Sequence, residues 1–70
     1  MEKIYLELRV KDPKQRCEVC KILKRWNAEW DETQQAWDVT DRCHIIRQRL
    51  ELKFPQGSWS TEEYRQVYTL

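Results

Sequence analysis

The chain has 70 residues, enough for one small domain whose apolar core is only marginally sufficient by area scaling. It contains 13 Lys and Arg against 12 Asp and Glu, so a charged fraction of 36% leaves a net charge of only +1. This balance argues against a uniformly basic nucleic-acid binder and for local patches of charge. Four Trp, three Tyr and one Phe supply the large apolar area that so short a core requires.

Charge is distributed unevenly along the chain. Residues 27–41 contain five acids and no Lys or Arg, whereas residues 1–26 contain eight bases and four acids. Residues 42–54 contain four bases and one acid. An acidic segment therefore lies between two basic ones, and we expect surface patches of opposite sign.

The sequence indicates a soluble, cytoplasmic protein that makes no membrane contact. No apolar run approaches the length of a membrane span, and the alternating N-terminal residues do not form the hydrophobic block of a signal peptide. The odd number of cysteines, three, is typical of a reducing compartment rather than of a disulfide framework.

The first half of the chain predicts a strand and a helix. Apolar and polar residues alternate from Ile4 to Val10, which is the period of a strand with one buried face. Asp12 followed by Pro13 is typical of a helix start, and the helix should run to about Trp26. Its buried stripe consists of Val19, Ile22, Leu23 and Trp26. Asn27 is expected to end it in the left-handed conformation.

The segment AEWDETQQAWDVTD, residues 28–41, predicts a hairpin. Two short extended pieces, Ala28–Asp31 and Ala36–Val39, are joined by the polar residues ETQQ. If Trp30 and Trp37 share a face, they can pack as a cross-strand or diagonal pair above the first helix and strand. We expect both tryptophans to anchor the hairpin while its acids remain in water.

The last thirty residues are predicted to be mainly helical. Thr40 is expected to cap a second helix that begins near Asp41, has an apolar stripe and ends at Pro55; the stripe comprises Cys43, Ile46, Leu50 and Phe54. A strand also fits residues 44–54, and the periodicity alone does not decide between them. Ser60 and Glu63 form a capping-box pattern for a short last helix that would carry Tyr64, Val67 and Tyr68.

Together these elements predict a single α+β domain over residues 1–70. A strand-helix-hairpin module would occupy residues 3–40, and a C-terminal helical extension of one or two helices residues 41–70. The first strand and the hairpin would form a small antiparallel sheet packed on the helices. Both a monomer and a homodimer remain open.

The residues LKRWNAEWDETQQAWDV resemble the core of a family of short domains of unknown function found in plasmid and phage proteins, often beside primase- or helicase-like parts. The strand, helix and Trp-Asp hairpin are also similar in order to the HARP domain of annealing helicases. Trp26 occupies the family's Leu position, Asn27 its Gly, Ala28 its Ala, Trp30-Asp31 its Trp-Asp pair and Trp37 its second Trp. The resemblance covers about residues 3–40 and implies a protein of phage or mobile-element type.

The hairpin departs from that family at three positions. Glu29 stands where the family favours Arg, Asp38 where it favours an aromatic residue, and Thr40 where it favours Pro. Two of these changes make the hairpin more acidic, which weighs against a nucleic-acid contact through the hairpin surface.

A basic helix face is the first candidate functional surface. Phosphate contacts by Lys and Arg gain affinity through counterion release, so a clustered patch predicts nucleic-acid binding, to DNA or RNA. The alternative is a solvated helix exterior. The candidate residues are Lys14, Lys21, Lys24, Arg25, Arg42, Arg47 and Arg49.

The acidic hairpin is the second candidate surface. It could dock on a basic surface of a host protein complex, as an anti-CRISPR or a similar inhibitor of host defence does, or it could simply be a solubilising rim. Among the four tryptophans, we expect only Trp59 to be available for an exposed contact, although it could equally cap the core. The candidate residues are Glu29, Asp31, Glu32, Asp38, Asp41 and Trp59.

Metal binding and catalysis have weaker support. Cys17, Cys20, Cys43 and His44 are side chains of the class that binds zinc, but the CxxC pair sits in a helix without a glycine knuckle. We therefore predict no metal and no cofactor, with a small zinc-binding domain as an alternative. The single histidine has no recognisable nucleophile and there is no glycine-rich phosphate loop, so we predict a non-enzyme.

Overall fold

A computed structural model describes residues 3–62 and 65–70, which form two helices and five strands. In chain order the elements are β1 (Tyr5–Leu8), α1 (Pro13–Arg25), β2 (Glu29–Asp31), β3 (Ala36–Asp38), α2 (Cys43–Lys53), β4 (Ser58–Glu62) and β5 (Arg65–Thr69). The chain is therefore a small α+β domain, as its sequence predicts.

The five strands form one mixed sheet in the order β2-β3-β1-β5-β4. The first strand, β1, lies at the centre, where it pairs antiparallel with β3 and parallel with β5. The parallel register matches Tyr5 with Arg65 and Leu8 with Tyr68, so strands from opposite ends of the sequence are neighbours. The sequence predicted only an antiparallel sheet and missed this pairing.

Both helices pack on one face of the sheet, and the core lies between the two layers. Leu6 and Tyr68 from the sheet, Val19 and Leu23 from α1, and Leu50 from α2 are all fully buried in a single cluster. The opposite face of the sheet combines charged side chains with buried Val67, which pairs with Glu7. On it the Arg65 guanidinium donates to a Glu7 carboxylate oxygen at 2.6 Å, and Arg9 and Arg65 together lower the pKa of Glu7.

Helix α1 begins and ends where its local signals predict. The Asp12 carboxylate accepts a hydrogen bond from the Lys14 amide at 3.0 Å, and Pro13 occupies the first helical position. Asn27 follows the helix with φ of 60°, so it adopts the predicted left-handed conformation.

The second helix confirms the preferred interpretation of residues 44–54 but not its predicted start. Helix α2 begins at Cys43 and carries no side-chain cap. The hydroxyl of Thr40 serves the sheet instead, because it accepts from the Ile4 amide at 3.1 Å and donates to Asp38 at 2.6 Å. The stripe of Ile46, Leu50 and Phe54 is buried as expected.

The predicted last helix is wrong, because residues 58–62 and 65–69 form the antiparallel strands β4 and β5. Trp59 and Tyr68 form an aromatic cross-strand pair, and Ser60 pairs with the β-branched Val67. The long-range pairing of β5 with β1 overrides the local helix signal. Glu63 of the capping-box pattern and Tyr64 lie outside the described residues.

Tyr68 fills the centre of the core and restricts its neighbours. Its ring lies 4.9 Å from that of Trp59 and 6.3 Å from that of Phe54, measured between centroids. A Cβ added at Gly57 would overlap the Tyr68 ring, with 2.6 Å to the phenol oxygen. Only glycine therefore fits this position without a shift of the ring. Burial raises the pKa of Tyr68 from 10.0 to about 12.

We expect the stability of the protein to fall between pH 10 and pH 12 because of Tyr68. The folded state holds the phenolic proton more tightly than the unfolded state, so this stabilisation is complete below pH 10 and is lost as the pH rises towards 12. In urea titrations, Tyr68→Phe should reduce the alkaline loss of unfolding free energy by roughly 1–3 kcal/mol. Identical pH dependence in both proteins would contradict the assignment.

Candidate functional site

A groove between the two helices is the candidate functional site. It encloses about 460 Å³. Its lining residues are Ile22, Arg25, Trp26, Arg49, Leu52 and Lys53. Three cations therefore surround an apolar floor that includes a tryptophan.

The groove exists because α1 and α2 lie side by side and run in opposite directions. Near the middle of α1, Glu18 forms an ion pair with Lys53 at the end of α2, at 3.9 Å. Just after the end of α1, the ring of Trp26 lies under the guanidinium of Arg49, an earlier residue of α2, which is 5.5 Å from the ring centroid. Trp26 directly follows the last residue of α1 and is half-buried, so one part of its indole supports the core and another faces the groove.

Each helix carries a row of cations along one side, and three members of these rows line the groove: Arg25, Arg49 and Lys53. Lys14, Lys21 and Arg25 follow the spacing i, i+7, i+11 in α1, and Arg42, Arg49 and Lys53 follow the same spacing in α2 and its first flanking residue. At about 100° per residue, each spacing keeps its members within about 40° of one another around the helix axis. The predicted set drew on both helices, and each helix contributes cations to the groove.

The remaining predicted cations lie elsewhere. Lys24 is exposed about 100° around α1 from Arg25. Arg47 lies on the far side of α2, where its guanidinium covers the Trp59 ring at 5.4 Å and bonds Glu51 at 3.3 Å. Only Arg25 and Arg49 of the predicted set line the groove. Lys53 joins them and was not predicted.

A second, smaller cleft of about 260 Å³ shares one lining residue, Trp26, with the first. Its charge is mixed: Lys3 and Arg42 are accompanied by Glu29, Asp38 and Asp41. Hydrogen bonds from Thr40, and more weakly the charge of Lys3, lower the pKa of Asp38. The second cleft is therefore mixed in charge, whereas the lining of the first contains cations and no acid, with Glu18 paired to Lys53 beside it.

The tryptophan pair of the β2–β3 hairpin forms as predicted. Trp30 and Trp37 are cross-strand partners whose ring centroids lie 5.6 Å apart at 69°, an edge-to-face arrangement. The expectation that both anchor the hairpin is wrong for Trp30, which remains 45% exposed. Strand β2 is at the edge of the sheet, so Trp30 has a strand neighbour on one side only.

The five predicted acids do not form one free row. The Asp31 carboxylate accepts from the amides of Thr33 and Gln34 at 2.9 and 3.2 Å and so shapes the hairpin turn. Asp38 is occupied by Thr40. The side chains of the other three are exposed: Glu29, Glu32 and Asp41.

Trp59 belongs to the core rather than to an exposed contact surface. Its ring packs on the ring of Tyr68, and the Arg47 guanidinium also lies over the Trp59 ring. The indole Nε1 is buried and has no hydrogen-bond partner among the described residues. The alternative that Trp59 caps the core is therefore correct, and Trp30 is the more exposed aromatic residue.

The cysteines are free, and the four zinc candidates are not brought together. Cys17 is exposed, Cys20 and Cys43 are half-buried, and His44 is exposed. Within residues 3–62 and 65–70, no three His, Cys, Asp or Glu side chains lie close enough to hold a metal ion.

No protein-family model, curated protein or solved structure matches this chain. The resemblance of residues 23–39 to a phage and plasmid domain family therefore stays a prediction. In the described part of the chain, neither α1 nor α2 has the length and apolar content required to cross a bilayer.

The two hairpin tryptophans should differ sharply in their contribution to stability. Replacing half-buried Trp37 with Ala removes core contacts and should cost roughly 3–5 kcal/mol. Trp30→Ala removes mainly the edge-to-face contact and should cost about 0.5–1.5 kcal/mol. Urea denaturation monitored by circular dichroism would measure both. Equal losses would contradict the peripheral position of Trp30.

Proposed function

We propose that this chain is a small, non-enzymatic binding protein of phage or mobile-element type that associates with nucleic acid through the α1–α2 groove. The observation that carries the proposal is the convergence of Arg25, Arg49 and Lys53 around a half-exposed tryptophan, Trp26. The mobile-element context comes from the resemblance of residues 23–39. Three free cysteines support an intracellular location for such a protein.

The distribution of charge supports this proposal despite the near-neutral total. Cations on the two helices can contact phosphates and release counterions, which is the main source of affinity in nucleic-acid binding. The acids that line a cleft all belong to the second one, where Glu29 and Asp41 repel phosphates, and Glu18 beside the groove is paired with Lys53. A bound strand is therefore expected to extend from Trp26 towards the Lys53 end.

Reversing two groove cations should abolish this binding. We expect Arg25→Glu with Arg49→Glu to eliminate association with labelled oligonucleotides, because it replaces attraction by repulsion on both sides of the groove. Fluorescence anisotropy at two salt concentrations measures the effect. Wild-type affinity should fall steeply with salt, by about 0.7–0.9 logarithmic units of affinity per logarithmic unit of salt for each phosphate contact.

Lys11→Glu with Arg16→Glu provides a matched control. It changes the net charge by the same amount, and both residues are exposed away from the groove. The control should retain most of the affinity, since its cations do not face the groove. Equal losses in both variants would indicate a nonspecific charge effect, and no wild-type binding at low salt would refute the proposed function.

A second candidate function is inhibition of a host complex through the β2–β3 hairpin. The observation favouring it is Trp30, whose exposed indole lies on an edge strand beside exposed Glu29 and Glu32. Aromatic residues surrounded by charge are typical of the anchor positions in protein interfaces. The partner would be a host defence or nucleic-acid-processing complex with a basic surface, as for an anti-CRISPR protein.

If the hairpin is the functional surface, Glu29→Lys with Glu32→Lys should remove the activity. Neither carboxylate is used in the hydrogen bonds that shape the turn, so the fold should persist. The measurement is the plaque count of phage on a defence-carrying host that expresses each variant. If this variant still protects the phage from host defence while Arg25→Glu/Arg49→Glu does not, the hairpin function is excluded.

A further inference from the structure

We propose that the ligand of the α1–α2 groove is single-stranded nucleic acid, with one base lying against the indole of Trp26. This inference rests on the proposed function and specifies its substrate class. It concerns the apolar floor of the groove, whereas the function itself depends on the cations at its rim.

The apolar surface of the groove has no matching surface on a nucleic-acid duplex. Leu52 is 70% exposed, and it lines the groove with Ile22 and Trp26. A duplex offers a protein its phosphates, sugars and base edges, while the faces of its bases remain stacked inside. A single strand exposes those faces, and they stack on aromatic side chains whatever the sequence. The groove floor therefore matches a single strand better.

The cations are placed to hold the backbone of a strand whose base occupies the floor. Arg25 on one helix and Arg49 and Lys53 on the other line the groove together with its apolar residues. The Arg49 guanidinium covers the Trp26 ring at 5.5 Å, a position in which a base can replace or extend the stack. The volume of about 460 Å³ is within the roughly 300–1,000 Å³ of ligand pockets.

Trp26 is the tryptophan whose surroundings suit a nucleic acid. Trp30 is exposed among acids that repel phosphates, as Glu29 and Glu32 flank it in the hairpin. Trp37 and Trp59 pack against the core cluster. Only Trp26 combines partial exposure with a basic rim.

The test compares an oligo-dT strand with a duplex of equal length, by anisotropy at two salt concentrations. The wild type should bind the single strand more tightly. Trp26→Leu should weaken single-strand binding by about tenfold or more with little change in the salt slope, because stacking rather than charge is removed. Trp30→Leu is the matched control and should have no effect, since Trp30 lies outside the groove.

A second variant covers the case in which Trp26→Leu fails to fold, as judged by circular dichroism. Leu52→Gln alters the same floor at a position that contributes little to the core. It should weaken binding of the single strand more than binding of the duplex. Equal binding of strand and duplex, or equal weakening of both by the floor variants, overturns the single-strand assignment but leaves the proposed function intact. Failure of both ligands to bind at low salt overturns the proposed function as well.

Discussion

The parallel pairing of β1 with β5 is the interaction on which the rest of the domain depends. It matches Tyr5–Leu8 with residues near the other end of the chain, and it brings Tyr68 into the core beside Leu6. Strands β3 and β2 then extend the sheet on one side of this central pair, and β4 extends it on the other. Because both helices cover the same face, they meet each other along one line, and a groove is the geometric result.

The groove separates the two kinds of charge in a nearly neutral chain. Basic residues from two sequence segments converge on it, while the acidic segment between them forms a hairpin at the sheet edge. Trp26 lies at the junction of the two regions, at the end of α1 and in contact with Arg49. A net charge of +1 therefore conceals a basic surface and an acidic one.

The sequence predicted features that depend on near neighbours and missed those that depend on distant ones. Asp12, Pro13 and Asn27 define the ends of α1 through bonds within a few residues, so its bounds were predictable. The capping-box pattern at Ser60 led to a wrong prediction of a helix, because the pairing of β5 with β1 has no local signal in the sequence. The same limit applies to the site: charge identified Arg25 and Arg49, but the groove that joins them to Lys53 and Trp26 forms only when two helices pack.

The central position of β1 also has a consequence for synthesis on the ribosome. Strand β1 pairs with β3 and with β5. The ribosome synthesises β5 about 60 residues after β1. Until then one edge of β1 is open, and the core lacks the Tyr68 ring. The β1–β5 pairing can therefore form only after β5 has left the ribosome. It closes a long loop, and such long-range contacts slow folding.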